Sequence, residues 1–383
     1  MNTKRLVILG STGSIGRQTL DVVRSLPDRF QVLGLAAGRN ATLLQEQARE
    51  FHPKLVWSSD EAARADIERA AGAGARWTPL EEQAAHLDAD LVVVGTVGRA
   101  GLGPTLAALR AGKPVALANK EVLVMAGAVV TRAAKAGGAQ LLPVDSEHSA
   151  IWQCLWGEEN NAIARVLLTA SGGAFRDYTA EQLARVTPQE ALNHPTWQMG
   201  QKITVDSATL INKGFEAIET RWLFDVPLER VEIVLHRESV IHSLVEFADG
   251  SVKAQLGEPD MRLPIRVALC YPERVANAGM TPLDLAGAGE LHFGPVDFRR
   301  YPALALALRA GRSGGTYPAA LAAADEVAVG HFLDGHLSFA GITELLDDAL
   351  SAHEPAADSD LEAVLAADAW ARAYAEDWVR AKV

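Results

Sequence analysis

Two short polar runs in this sequence hold side chains that could do chemistry together. Asp145-Ser146-Glu147 sets two carboxylates two positions apart, directly after an apolar, strand-like run. In an extended segment residues i and i+2 project to the same side, so Asp145 and Glu147 are expected to converge on one point. Carboxylates that close repel each other unless a proton or a cation lies between them. Oxygen-only donors favour a hard metal, Mg²⁺ or Mn²⁺. Taken alone, such a pair also reads as a helix cap or a surface charge pair. A third carboxylate, Glu216, stands in Asn212-Lys213-Gly214-Phe215-Glu216, and Ser207, Asn212 and Lys213 can all bond phosphate oxygens. Ser171, in the turn Ser171-Gly172-Gly173, is a fourth such candidate. Each is singly an ordinary cap or surface residue; it is their clustering in polar, glycine-containing segments that selects them. His148 and His242 are softer donors, and nothing in their spacing supports a ligand role.

A second kind of chemistry is written near the start. Gly10-Ser11-Thr12-Gly13-Ser14-Ile15-Gly16 follows a strand-like run and opens a helix-like one. Glycines let a backbone turn sharply and approach a pyrophosphate, and a helix N-terminus offers free N–H groups and partial positive charge. The spacing is G-x-x-G-x-x-G, not the commoner G-x-G-x-x-G, and the weight falls on its strand–turn–helix context. A merely tight turn is the plain alternative. The end of the second strand reads Ala37-Gly38-Arg39-Asn40, without the carboxylate that bonds the ribose hydroxyl in NAD-binding domains. Arg39 is a fixed cation suited to a 2′-phosphate, which favours NADP; its plain alternative is a solvated charge.

These residues need a frame. Strand-like runs at Arg5–Leu9, Gln31–Ala36, Lys54–Trp57, Leu91–Gly95, Pro114–Ala118 and Ala139–Val144 alternate with helix-like stretches, as at Ile15–Leu26, Leu43–Phe51 and Pro104–Ala111. That alternation is the pattern of βαβ units around a parallel sheet. The fold class expected is therefore α/β, with a Rossmann-like NADP-binding domain over residues 1–145. Residues 146–275 read as an α+β catalytic domain, with a strand at Ala162–Thr169, a loop at Asn193–Gln201 and a helix at Leu210–Phe224. Strands follow at Val231–Leu235, Val240–Phe247 and Ser251–Leu256, the last two joined by an Asp249-Gly250 hairpin signal. Residues 276–300 are rich in Gly, Pro and Asp and read as a linker. Residues 301–383, rich in Ala and Leu at helical spacing, read as a C-terminal helical bundle.

Composition narrows the rest. With 49% hydrophobic and 22% charged residues, the chain has ample material for packed cores. A formal charge of −12 opposes binding to a phosphate polymer, so nucleic acid is not an expected partner, although a local basic pocket can hold a small anion. The apolar runs are far too short to span a membrane, and the start lacks a secretory or transit leader, so a cytoplasmic protein is expected. Cys154 and Cys270 have neither metal-type nor redox-type spacing.

Taken in order, the motifs resemble one family over nearly the whole chain, the 1-deoxy-D-xylulose 5-phosphate reductoisomerases. The resemblance rests on Gly10–Gly16, Ala118-Asn119-Lys120-Glu121, Leu142-Pro143-Val144-Asp145-Ser146-Glu147-His148 and Ser171-Gly172-Gly173. It continues through Asn193-His194-Pro195-Thr196-Trp197, Met199-Gly200, Val205-Asp206-Ser207-Ala208-Thr209, Asn212-Lys213-Gly214 and Leu256-Gly257-Glu258-Pro259-Asp260-Met261. It implies a homodimer that uses NADPH and Mg²⁺ or Mn²⁺ to rearrange and reduce a small phosphorylated sugar in non-mevalonate isoprenoid synthesis. Asp145, Glu147 and Glu216 would be the metal ligands. Ser171, Ser207, Asn212 and Lys213 would hold the substrate phosphate, with His194 lining that site and Lys120, Ser146 and Glu147 at the carbonyl end. Lys120 and His194 would join the metal ligands as catalytic residues. Thr12, Gly13, Ser14, Ile15, Gly38, Arg39, Asn40, Asn119, Glu121 and Gly200 would hold NADPH. The loop bearing Trp197 would be a lid over the substrate. Two other readings share the first domain: an NADP-dependent semialdehyde or homoserine type of dehydrogenase, and a non-catalytic NADP sensor. The semialdehyde enzyme needs a nucleophilic cysteine, and a sensor has no use for three carboxylates and phosphate-type residues.

Overall fold

A computed structural model describes residues 3–158, 161–276, 279–356 and 360–382. The chain divides into two compact units. The first comprises Met1–Val122, Val130–Ser149 and Asp260–Thr281; the second comprises Leu123–Val129, Ala150–Pro259 and Pro282–Val383. A first boundary is expected at 145; the segment Asp260–Thr281, with the helix Arg262–Cys270, groups with the first unit.

The first unit is built on seven parallel strands: β1 (Lys4–Leu9), β2 (Phe30–Ala37), β3 (Leu55–Ser58), β4 (Arg76–Trp77), β5 (Leu91–Val94), β6 (Val115–Leu117) and β7 (Leu141–Pro143). Their order across the sheet is β4-β3-β2-β1-β5-β6-β7. Leu6 to Leu9 and Leu91 to Val94 are buried throughout, as strands covered on both faces should be. The order reverses at β1, which pairs with β2 on one side and β5 on the other. Such a switch point is where open α/β sheets bind ligands, beyond the carboxyl ends of the strands. The registers carry this across the sheet: Leu9 is opposite Ala36 and Val94, Val94 opposite Leu117, and Leu117 opposite Pro143. One row of residues thus marks a common edge, and the segments leaving it are Gly10–Gly16, Gly38–Asn40, Asn119–Lys120 and Asp145.

The second unit has a mixed sheet of β8 (Ile163–Ala170), β9 (Val231–Leu235), β10 (Ile241–Phe247), β11 (Val252–Leu256) and β12 (Gly294–Pro295), in the order β11-β10-β8-β9-β12. β8 and β9 are parallel, and β10 runs antiparallel to β8 and β11. Helices Gln201–Thr209 and Ile211–Phe224 are separated by Leu210, which sits in the left-handed region at φ 57. The second of these helices lies between two cores. Leu210 and Ala217 pack with Val166, Leu168 and Val245 of the sheet. Phe215 and Ile218 pack with the helices Pro302–Ser313, Tyr317–Leu333, Phe339–Ala352 and Leu361–Lys382. Burying large apolar side chains on both sides, each about 1.5–3 kcal/mol, fixes the rotation of the helix about its axis and hence the aim of its remaining residues.

Four local expectations need correction. Asp145-Ser146-Glu147 is not extended: a helix, Ser146–Cys154, begins at once, because the Asp145 carboxylate accepts the Ser146 amide at 3.0 Å and its carbonyl accepts the Ser149 amide at 2.8 Å. A helix at Gln201–Thr209 precedes the one expected from 210. The two-residue strand β4 was not anticipated. Within the expected linker, of which positions 277 and 278 lie outside the described residues, β12 pairs with β9.

Candidate active site

In the first unit the glycine run turns as its chemistry requires. Gly10 has φ +87, and a Cβ there would lie 2.5 Å from the Gly95 carbonyl oxygen; at Gly16 one would lie 2.3 Å from the Gly10 carbonyl oxygen. Neither position admits a side chain. The helix Ser14–Ser25 that follows has no side-chain cap at Gly13 and no acidic residue in its first turn. Its amide groups and dipole are left to favour an anion. At the neighbouring strand end Gly38, Arg39 and Asn40 are exposed, and Asn40 caps the helix Ala41–Phe51 by accepting the Leu43 amide at 3.1 Å. Asn119 is buried, caps the helix that opens at Lys120, and donates to the Gly98 carbonyl at 2.8 Å. Its side chain therefore shapes the loops around the cofactor edge. Glu121, in the first turn of that helix, is half-buried.

Next to it, the carboxylate pair forms. Lys120 is buried and makes an ion pair with Asp145. Because β6 and β7 are in register, the lysine three residues beyond Leu117 meets the aspartate two residues beyond Pro143. Ser146 Oγ donates to Glu147 at 2.7 Å. One oxygen of Asp145 and one of Glu147 lie within 4.8 Å of each other. Two oxygen donors so placed, one already neutralised by an ammonium group, fit a hard divalent cation.

In the second unit the residues gather in two clusters. One lies beyond β8, where Gly172 and Gly173 have φ +87 and +72 and a Cβ at Gly173 would lie 2.3 Å from the Ser207 carbonyl oxygen. This close approach sets the Ser171 turn directly against the end of the helix Gln201–Thr209. Ser171 Oγ is 3.1 Å from His194 Nε2, while His194 Nδ1 accepts the amides of Thr196 and Trp197 at 3.1 and 2.9 Å. An acceptor at Nδ1 assigns the ring proton to Nε2, so His194 is neutral and donates to Ser171. Burial, helped by the nearby Arg176 charge, pushes the His194 ring down to about 4, in accord with that tautomer. Ser171 Oγ also accepts the Gly173 amide at 3.2 Å, which leaves its own proton to offer. Trp197 is half-buried, its ring 6.1 Å from that of His242, and Gly200 begins the next helix.

The other cluster is on the helix Ile211–Phe224. Lys213 and Glu216 are both buried and form an ion pair. Asn212 Nδ2 donates to the other Glu216 oxygen at 2.6 Å, and Asn212 Oδ1 has no hydrogen-bond partner among the described residues. Each of these contacts spans three or four residues along one helix face. Three participants escaped sequence reasoning. Arg176 donates to the Ser171 and Arg237 carbonyls at 3.1 and 3.2 Å and so holds the turn. Lys202 bridges Asp206 and Asp325 at 2.6 and 2.7 Å, tying the helix that bears Ser207 to the helix Tyr317–Leu333. A polar residue on an otherwise apolar helix stripe was the available signal for Asp325. Both cysteines are buried and burial raises both thiols, that of Cys154 to about 11, which removes the nucleophile a semialdehyde dehydrogenase needs.

Comparison with known proteins agrees along the whole chain. Residues 6–127 match the family model for 1-deoxy-D-xylulose 5-phosphate reductoisomerase, and residues 141–224 and 256–374 match models of C-terminal domains of that enzyme. The reductoisomerase of Gloeobacter violaceus is 53% identical, with 97% of this chain and 96% of that protein covered; that of a Geobacillus strain is 50% identical, with 97% and 98% covered. The solved structure of the Zymomonas mobilis reductoisomerase in complex with NADPH superposes with a TM-score of 0.90 at 42% identity, covering 99% of each chain. A reductoisomerase crystallised with NADPH, fosmidomycin and magnesium gives 0.94 at 39% identity, covering 98% of each. Fold and site thus define the class, an NADP-dependent oxidoreductase. More particularly, the chain belongs to the 1-deoxy-D-xylulose 5-phosphate reductoisomerase family.

Proposed function

We infer that this chain converts 1-deoxy-D-xylulose 5-phosphate to 2-C-methyl-D-erythritol 4-phosphate with NADPH and a divalent metal, in non-mevalonate isoprenoid synthesis. The observation that carries this is identity of 50–53% with family members over 97% of the chain. The site supports it by containing what the reaction needs.

Asp145, Glu147 and Glu216 hold the cation in this proposal, as Mg²⁺ or Mn²⁺. When bound, that cation supplies Lewis acidity at the ketose carbonyl and its neighbouring hydroxyl while the carbon skeleton breaks and rejoins by a retro-aldol/aldol path. NADPH supplies the hydride that reduces the resulting aldehyde, 2-C-methyl-D-erythrose 4-phosphate. The protein's residues bind, orient and exclude water. Ser171 and Ser207 donate hydroxyl protons, and Asn212 and Lys213 donate N–H protons, to the substrate phosphate. Neutral His194 keeps Ser171 turned toward that phosphate. Lys120 and Lys213, which pair with Asp145 and Glu216 here, become available to substrate oxygens once those carboxylates are neutralised otherwise. Ser146 and Glu147 meet the hydroxyl end of the substrate. The loop of Trp197 closes over the site, since retro-aldol fragments must be held together and kept from water.

NADPH is held by Thr12, Gly13, Ser14 and Ile15 at its pyrophosphate, by Gly38, Arg39 and Asn40 at its 2′-phosphate end, and by Asn119, Glu121 and Gly200 toward the nicotinamide. Functionally the chain then comprises cofactor, catalytic and helical domains at 1–145, 146–275 and 301–383, with 276–300 linking the last two. The working form is a homodimer in the cytoplasm, acting on a small phosphorylated sugar and not on nucleic acid or a membrane. Among the described residues no helix is long and apolar enough to cross a membrane. The test is incubation with 1-deoxy-D-xylulose 5-phosphate, NADPH and Mn²⁺, following the loss of reduced-nicotinamide absorbance and identifying the product. The expected result is 2-C-methyl-D-erythritol 4-phosphate, formed only with metal and lost on adding EDTA. Metal-independent oxidation of NADPH, or another product, would contradict it.

A further inference from the structure

The helix Ala41–Phe51 buries Ala41, Leu44, Gln47 and Ala48. Three of these are the small or apolar residues that a core-facing stripe demands; the fourth is a glutamine only 3% exposed. Placing a primary amide there costs free energy unless it is hydrogen-bonded. Its Nε2 donates to the carbonyl oxygen of Ser11 at 2.9 Å, a fully buried contact that joins the helix to the start of the glycine loop. The rest of that loop is tied by backbone: the Gly10 and Ser11 amides both donate to Ala36, and the Gly13 amide donates to Gly10.

The Ser11 bond sets a direction. The Ser11–Thr12 peptide is trans, so its C=O and N–H point opposite ways. With the carbonyl turned inward to Gln47, the Thr12 amide is turned outward, away from the core. From this geometry we propose that Gln47 is a positioning residue for the cofactor: it aims the Thr12 N–H at the dinucleotide pyrophosphate and prevents a peptide flip that would present a carbonyl oxygen there instead. The inference rests on the assignment of Gly10–Gly16 as the NADPH loop. The same helix begins at Asn40, beside Arg39, so one rigid element spans from the 2′-phosphate end to the pyrophosphate loop.

Gln47→Met keeps the length and volume and removes the donor; Gln47→Glu replaces the donor with a charge facing a carbonyl. Dissociation constants for NADPH and NADH would be measured by fluorescence titration for the full-length wild type, both variants and Arg39→Ala, alongside melting temperatures. We expect each folded Gln47 variant to bind both dinucleotides about tenfold more weakly, with the NADPH/NADH preference unchanged, because the pyrophosphate is common to both. Arg39→Ala should instead lose the preference. At saturating NADPH the Gln47→Met enzyme should keep kcat within about twofold and an unchanged KM for the sugar phosphate. A Gln47→Met protein that binds NADPH as the wild type does would overturn the proposal, as would a preference that falls in step with affinity, which marks general disruption of the helix. A wild type without NADPH affinity would instead remove the underlying assignment of the loop.

Discussion

His194 donates through Nε2 to Ser171 Oγ at 3.1 Å while its Nδ1 accepts two backbone amides, so a single neutral imidazole organises both the Ser171 turn and the start of the Trp197 loop. Protonation would place a donor against two donors at Nδ1, and that is a second reason, beyond burial, for the ring to stay uncharged.

A pH dependence of stability follows. The folded ring titrates near 4, below the ordinary 6.5 it recovers on unfolding. Between those values the unfolded chain binds the proton and the folded chain does not, so this group's contribution is complete above about pH 6.5 and declines as pH falls toward 4. Melting temperatures of the wild type and His194→Gln at pH 7 and pH 5 should show a smaller drop in the variant. Equal drops would mean that the ring is not held neutral.

Arg39 is exposed at the end of β2 with no carboxylate in its loop. Arg39→Ala should raise the KM for NADPH by about tenfold or more, the weight of a charge-assisted contact, and leave use of NADH unchanged. Steady-state kinetics with both cofactors decides this; an unaltered NADPH KM would refute the role.

Asp325 is fully buried and bonded to Lys202, which also meets Asp206 and lies 5.1 Å from the Phe215 ring centre. Lys202 is the cation shared by two buried carboxylates, so removing it leaves their like charges facing each other, whereas removing Asp325 would still leave the Lys202–Asp206 pair. Lys202→Met should therefore lower unfolding free energy by about 3 kcal/mol. Urea denaturation tests it, and a change under about 1 kcal/mol, the weight of a surface pair, would show the cluster to be solvated.

The carboxylates bear on turnover more than on cofactor binding. Asp145→Asn, Glu147→Gln and Glu216→Gln should each lower kcat by about a hundredfold or more, since a bound cation contributes several kcal/mol to the transition state. The dissociation constant for NADPH should stay within about threefold. Normal turnover in two of the three would be incompatible with the metal assignment.

Much of the frame was legible because its physics is local. Leu91–Val94 and Leu6–Leu9 are continuous apolar runs, as strands buried on both faces must be, and they fell within a residue or two of where periodicity put them. The glycine loop was legible because only glycine tolerates the backbone contacts at Gly10 and Gly16. Less visible were features that depend on distant partners. Asp145-Ser146-Glu147 read as an extended segment following a strand, because the helix that begins there shows only once the Asp145 carbonyl accepts the Ser149 amide. The pairing of Lys120 with Asp145 depends on the register of two strands, and the aim of the helix after Leu210 on its packing into two cores at once. Gln47 was invisible, since a glutamine in a helix reads as solvent-facing until its burial is known.

Manganese binding, read from the electron paramagnetic resonance of free Mn²⁺ during titration, isolates the metal assignment from every later step. The wild type should bind one Mn²⁺ per subunit, and Asp145→Asn, Glu147→Gln and Glu216→Gln should each weaken that site by about tenfold or more while still binding NADPH. Wild-type affinity for Mn²⁺ in any two of these variants would place the cation elsewhere and contradict the account.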